Sequence, residues 1–304
     1  MNQIENTRNL FYDRPSWTKN ELAVRTSLSM AGITKHLSRL MELNYIAFDG
    51  TNDSTGGRPS KRYVLHSGRS HVLCIRLRKS ITEHAVFEVV DLLNTPVLTR
   101  TFQKERLDPI FILDQVADLT SQDPKIDLII VSFPGICSDG QIVIGDLKQF
   151  LGHDLKEEIR SRFAIECVIE NDVNCACIGY CRLHGQNDAA FLYLPKNDPV
   201  GCGLVLNGRL YNGQHHFAGE LRYLPFDHLS LPVFIDTLSC VIAPKIIAVY
   251  DETSSPLQKD AGTIPESYRP VIDYVDRLDP YIAVGMYSIA VDTLKHRKLE
   301  KGTL

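Results

Sequence analysis

Between residues 126 and 184 the chain twice runs an apolar strand into a turn and then a helix, and this alternation constrains the fold more than any other feature. "IDLIIVSFPG" is a buried strand running into a glycine turn, and "HDLKEEIRSRF" is helical. "IECVIEND" is a second buried strand, and the helix "VNCACIGYCRL" follows it. Upstream, "HVLCIRL", "EHAVFEVVD" and "PVLTRTF" are three short strands, with turns at Lys79–Thr82 and at "LLNT". Asp108 and Pro109 have the residue types of an N-cap and a first helical position, opening a helix to about Leu119. Downstream come the strands "AAFLYL" and "GCGLVLNGRL". Three meandering strands followed by alternating helices and strands predict an α/β fold with a mixed sheet.

The first 66 residues have a different character. They hold nine Lys/Arg against six Asp/Glu, about +3, whereas the remainder holds 24 against 31, about −7. A basic head on an acidic body suggests a nucleic-acid module joined to something else. Within the head, Ser16 is positioned to cap a short helix through Leu22 and Val24. Ser27-Leu28-Ser29 then breaks the pattern, and Ser29 caps a second helix. There Ile33, Leu37, Leu40 and Met41 form one apolar stripe and leave Thr34, Lys35, Ser38 and Arg39 on the other side. The strands "YIAF" and "RYVL" flank the polar loop "DGTNDSTGGRPSK", so a hairpin wing follows the helices. Glycines ahead of Arg58, with Lys61 and Arg62 beyond, let cations reach phosphates or a narrow minor groove. Together these elements predict a winged helix-turn-helix whose second helix enters the major groove.

A chain of 304 residues can hold more than one core, and 44% apolar with 23% charged residues is ordinary for a globular protein. No run of about 18 apolar residues exists to span a membrane, and "MNQIENTRNLFYDRPSW" has no apolar signal core. The expected location is the cytoplasm, with the eight cysteines as reduced thiols.

Several motifs, collinear over about 230 residues, resemble those of the ROK family of repressors, open reading frames and sugar kinases. Gly57-Arg58-Pro59 at the wing, "SFPGICSDGQIV", "ENDVNCACIGY", "GCGLVLNGRLYNGQHHFAGEL", "LSCVIAPKIIAVYD" and "AVGMYSIAVDTL" carry the resemblance. It implies a two-lobed, actin/hexokinase-like body of ribonuclease-H-type lobes behind the head. Residues 1–68 would be the DNA-binding domain, 69–185 the first lobe, and 186–304 a second lobe without the family's zinc-binding insertion.

The resemblance also places Asp172 where family kinases keep their base. Phosphoryl transfer further needs backbone amides and metal around the nucleotide phosphates. The three glycine loops that would supply this read Arg76-Leu77-Arg78-Lys79-Ser80, Asp198-Pro199-Val200-Gly201 and Tyr250-Asp251-Glu252. Long cations, a proline and two carboxylates replace the glycines, so the expectation is a non-enzyme with no cofactor. Tyr223 stands at the family's zinc histidine, and Cys175, Cys177 and Cys181 are expected to pack as small apolar groups rather than bind metal.

Gly135, Asn171, Asp172 and Glu220 match family positions that line or hydrogen-bond a sugar, while Leu147 and Tyr223 have lost such a role. Two readings stay open: these residues hold a ligand, or Asn171 and Asp172 cap their helix. Arg76 and Arg78 would line the former phosphate side and favour a sugar phosphate, unless Arg76 pairs with Asp172. The expected function is a ROK-type transcriptional regulator, a repressor in carbohydrate metabolism, acting as a homodimer or higher homo-oligomer on an operator. Ser29, Thr34, Lys35, Arg39, Arg58, Lys61 and Arg62 would contact DNA. The alternatives are a sugar kinase with a DNA-binding arm and a ligand-independent regulator with a vestigial cleft.

Overall fold

Thr18, rather than Ser16, opens the first helix of the expected pair. In the computed structural model, which describes residues 2–51, 61–138, 141–196, 199–226, 230–253 and 264–299, Ser16–Thr18 is a short strand, β1. The Thr18 hydroxyl accepts the Glu21 amide, while the Glu21 carboxylate accepts the Thr18 amide at 2.7 Å, a reciprocal cap that starts α2 (Lys19–Thr26). Ser27 closes α2 in the left-handed region. Ser29 caps α3 (Met30–Glu42) by accepting the Gly32 amide at 3.2 Å. Ile33, Leu37 and Leu40 are fully buried, as the spacing predicts, and the partly exposed Met41 lies at the margin of that stripe.

β2 (Ile46–Thr51) and β3 (Lys61–Leu65) pair antiparallel, and β1 adds to β3. The loop that joins β2 to β3, with Gly57, Arg58 and Pro59, lies outside the described residues. An unanticipated helix, α1 (Gln3–Asp13), precedes all of these and packs against α2, α3 and the far end of the chain.

The body repeats one layout. β4 (His71–Lys79), β5 (Glu83–Asp91) and β6 (Pro96–Lys104) form a meander. β7 (Ile126–Phe133) and β10 (Glu166–Asn171) then extend it as parallel strands, giving the order β6-β5-β4-β7-β10. In the second sheet β11 (Ala189–Leu194), β12 (Gly201–Leu206) and β13 (Arg209–Leu210) are the meander. β14 (Ile246–Asp251) and β15 (Val271–Tyr274) are its parallel strands, in the order β13-β12-β11-β14-β15. α4 (Pro109–Gln122) starts at Asp108, whose carboxylate accepts the Phe111 amide at 2.8 Å. A hairpin, β8 (Gly135–Ser138) with β9 (Gln141–Gly145), and α5 (Leu155–Phe163) link β7 to β10. α7 (Leu231–Val241) precedes β14.

Two helices lock the sheets together. α6 (Asp172–His184) follows the first sheet but packs on β11 and β12 of the second. α8 (Asp279–His296) follows the second sheet but packs on β4 and β7 of the first. Their crossing is close enough that a Cβ on Gly285 would strike the Cys175 carbonyl and one on Gly179 the Tyr281 carbonyl. Cys175 and Cys177 are fully buried and Cys181 nearly so. Small thiols suit a helix pressed this tightly.

Candidate functional site

The β7 and β10 ends, the start of α6, and the β11–β12 edge meet in a cleft between the sheets. Asn171 ends β10 and caps α6: its side-chain oxygen accepts the Val173 and Asn174 amides at 2.9 and 3.0 Å. Its amide nitrogen donates to the Gly135 carbonyl at 3.1 Å, tying the cap to the β8 hairpin. Both ends of Asn171 are thereby used within the chain. Asp172 is the first helical residue and is buried, with one carboxylate oxygen 2.9 Å from the Val173 amide. Burial pushes its carboxyl up to about 7, against the pull of the Val173 amide, and Asp146 adds to the rise. Asp172 is therefore part protonated near neutrality.

The cations are arranged differently from the sequence-based expectation. Arg78 reaches out of the first sheet to Glu252, beyond β14, at 2.6 Å, and to Asp279 at the start of α8 at 3.8 Å. It also bonds the Tyr193 hydroxyl. The Glu252 carboxylate, one of the two that stand in place of the family's glycines, thus anchors a bridge between the lobes. Lys79 donates to the Asp146 carbonyl at 3.1 Å.

Arg76 does not line this cleft. Its guanidinium lies 3.5 Å from the Glu88 carboxylate on the neighbouring strand, so the alternative pairing with Asp172 is not formed. Arg76 and Arg78 share a strand face, but Arg78, nearer the strand end, pairs across to the other lobe while Arg76 pairs within its own sheet. The turn after β4 spends its Ser80 amide on the Thr82 carbonyl at 3.0 Å, leaving that donor unavailable to a phosphate.

Glu220 lines the cleft and pairs with Arg222 at 2.9 Å, a cation that motif reading passed over. The Arg222 Nε is buried and has no hydrogen-bond partner among the described residues. A cation two residues beyond a candidate sugar-binding glutamate was the available signal. Tyr223 points elsewhere, 5.3 Å from the Phe217 ring and more than half exposed, while Leu147 is buried in the first lobe's core. The free space left among these side chains is about 70 Å³, against about 300–1,000 Å³ for a drug-sized ligand site. Among the described residues the cleft holds little free space.

On the head, Thr34, Lys35 and Ser38 are exposed on α3, opposite the buried stripe. Thr34 donates to the Met30 carbonyl and accepts from Lys19, and Arg39 pairs with Glu42 at 3.1 Å. Ser29 is occupied as a cap. Lys61 is exposed and sits over the Phe48 ring, whereas Arg62 is held to the Ser16 hydroxyl at 2.6 Å. Arg58 lies outside the described residues. The head and the cleft are distinct places, joined by α8: Asp279 at one end meets Arg78, and Lys295 at the other meets α1.

The sequence model of the ROK family matches residues 84–240, a little over half the chain. The chain belongs to the ROK family. Among curated ROK relatives, the xylose repressor of Bacillus subtilis (strain 168) is 22% identical over 222 residues, 69% of this chain and 56% of its own length. The DNA-binding transcriptional dual regulator NagC of Escherichia coli (strain K12) is 22% identical over 230 residues, 73% of this chain and 56% of its own. A beta-glucoside kinase of Listeria monocytogenes is 30% identical over 132 residues, 42% of this chain and 45% of its own. The chain thus spans a little over half the length of the regulators it matches.

Among solved structures, a ROK family transcriptional regulator described as a homolog of the E. coli Mlc protein superposes with a TM-score of 0.69. It is 14% identical, over 96% of this chain and 98% of that one. A ROK family glucokinase from Streptomyces griseus, with glucose and AMPPNP, gives 0.51 at 15% identity, over 71% of this chain and 98% of that one. At such identities both likenesses concern the fold, which is that of ROK regulators and sugar kinases.

Proposed function

We propose that this chain is a ROK-type transcriptional regulator in which residues 1–68 bind operator DNA as a winged helix-turn-helix. Residues 69–185 and 186–304 form a kinase-like body that no longer phosphorylates. The observation that carries the reading is α3, which buries Ile33, Leu37 and Leu40 and turns Thr34, Lys35 and Arg39 outward with a paired strand hairpin beside it. A helix of that kind beside a wing is built to read a major groove. The named repressor relatives support the same reading.

Lys35, Arg39 and Lys61, with Arg58, are the cations we assign to DNA; Ser29 and Arg62 serve the head's own structure. One such head makes few base contacts, so a homodimer on two half-sites is the expected assembly. Fluorescence anisotropy on DNA from upstream of the protein's own reading frame tests this. Lys35→Ala and Arg58→Ala should each weaken binding and lower the salt slope by about one unit. Salt-independent binding, or none, would overturn the assignment.

For the body, the small free volume of the cleft favours a regulator that works without a small ligand. Arg78 occupies the phosphate side, and Asn171 is used at both ends. A sensing role requires the lobes to part, which sugars or sugar phosphates would reveal as a saturable rise in Tm. ATP turnover with a sugar panel, lost in Asp172→Asn, would instead establish a kinase.

A further inference from the structure

A cavity much roomier than the interlobe cleft lies elsewhere in the body. About 580 Å³ of space opens between the end of α6, the β12–β13 hairpin and the last two turns of α8, roughly eight times the cleft's 70 Å³. That volume is within the usual range for a bound small molecule. Its apolar part is formed by Ile178, Leu210 and Ile289, and its rim by Arg182, Arg209 and His296. One acid, Asp292, faces them and lies 3.7 Å from Arg182, a loose contact between half-exposed groups. Arg209 has no ion pair or side-chain hydrogen bond among the described residues. Two arginines against one aspartate leave the lining itself with a positive charge in excess, and Asp188 lies near enough to act on Cys181 of the same lining. The α6 carbonyl at Cys181, which would oppose an anion, is already taken by the Gly185 and Gln186 amides.

The position gives the cavity a second meaning. Asp292, Thr293 and His296 share the last turn of α8 with Lys295. The Lys295 carbonyl accepts from Arg8 at 2.9 Å and Asn9 at 3.0 Å, and its ammonium meets Asp13 at 2.5 Å. Arg8 is 1% exposed, so this joint is a built contact of the head with the body.

We propose that the cavity is a second binding site, taking a carboxylate with a short apolar tail, and that occupancy is felt by the head through the last turn of α8. The carboxylate would sit at Arg209 and Arg182, and the tail on the Ile178–Leu210–Ile289 surface. The site is separate from the interlobe cleft, and the proposal does not rest on the head being a DNA-binding module.

Octanoate is a suitable probe, with octanol and acetate as controls for tail and head alone, measured on the full chain without DNA. Trp17, the chain's one tryptophan, reports on the joint, because its Nε1 donates to the Leu10 carbonyl of α1 at 3.0 Å. Calorimetric titration should show saturable octanoate binding at least about tenfold tighter than either control, and Trp17 emission should change with the same midpoint. Arg209→Gln should weaken binding about tenfold with basal Tm unchanged. Asp13→Asn, at an exposed acid, should leave binding intact and shrink the Trp17 response. Octanol binding as well as octanoate, or Arg209→Gln binding normally, would reduce the cavity to a solvated surface recess. An unaltered Trp17 response in Asp13→Asn would overturn the coupling.

Discussion

Asp172, which stands where family kinases keep their base, is a buried carboxyl whose titration is set by its surroundings. A carboxyl with a folded value of about 7 and an ordinary value of 3.8 is held mostly neutral at pH 5 and mostly ionised at pH 8. Because the folded value is the higher one, ionisation works against folding. Its cost grows as pH rises from about 4 to 7 and then levels off. Asp172→Asn removes this cost while keeping an oxygen for the Val173 amide. Denaturant unfolding should therefore show the wild type losing roughly 2 kcal/mol more than Asp172→Asn between pH 5 and pH 8. Equal pH dependence in the two proteins would mean that water reaches the carboxylate. Asn171→Ala, which deletes a cap and the Gly135 link, should cost about 1–2 kcal/mol at either pH.

At the scale of elements, the α6–α8 crossing is the tightest contact in the body. Gly285→Ala would drive a methyl group into the Cys175 carbonyl, and the helices would have to separate. A loss of about 3 kcal/mol in chemical unfolding is expected, whereas Cys177→Ala, one atom smaller in the same region, should cost about 1 kcal/mol. This crossing also marks the limit of what the sequence disclosed. β4, β5, β6, α3, α4 and α6 were legible because each combines an apolar period with a recognisable start, as at Ser29, Asp108 and Asn171. The hairpin of β2 and β3 was legible up to the loop that lies outside the described residues.

α1 was not legible, and the reason is physical. Its buried residues include Thr7, Arg8 and Asn9, and those side chains are satisfied by His36 and by Lys295 rather than by apolar neighbours. Phe11 is the one apolar residue among the buried ones of α1, too few for a hydrophobic period to be read. The Ser16 misreading has a similar origin, since Ser16 and Thr18 are both good caps and only strand pairing with β3 decides between them. In the cleft, residue types showed which groups gather there. They could not show that Arg78 reaches Glu252 across the lobes, or that Arg76 stops at Glu88, because those choices depend on side-chain reach and sheet register.

For the whole molecule, Arg78 acts as a clasp between halves that are also interlocked by α6 and α8. Arg78→Ala should destabilise by about 1 kcal/mol, modest because the pair is about one-third exposed. Its clearer effect should be faster amide exchange at the β7–β8 and β11–β12 ends that face the cleft, with the sheet interiors unchanged. Protection that stayed the same throughout would mean that the crossed helices alone hold the lobes shut.

The joint between Arg8 and Lys295 spans 287 residues of chain. On a ribosome adding about 5–20 residues per second, α1 emerges roughly 15–60 s before the carbonyl that will hold its guanidinium has been made. α1 is thus synthesised long before it can be seated. A nascent head can fold, but it cannot be mounted on the body until residue 295 has been added, so the molecule's own assembly order delays any action that requires the head to be held in place.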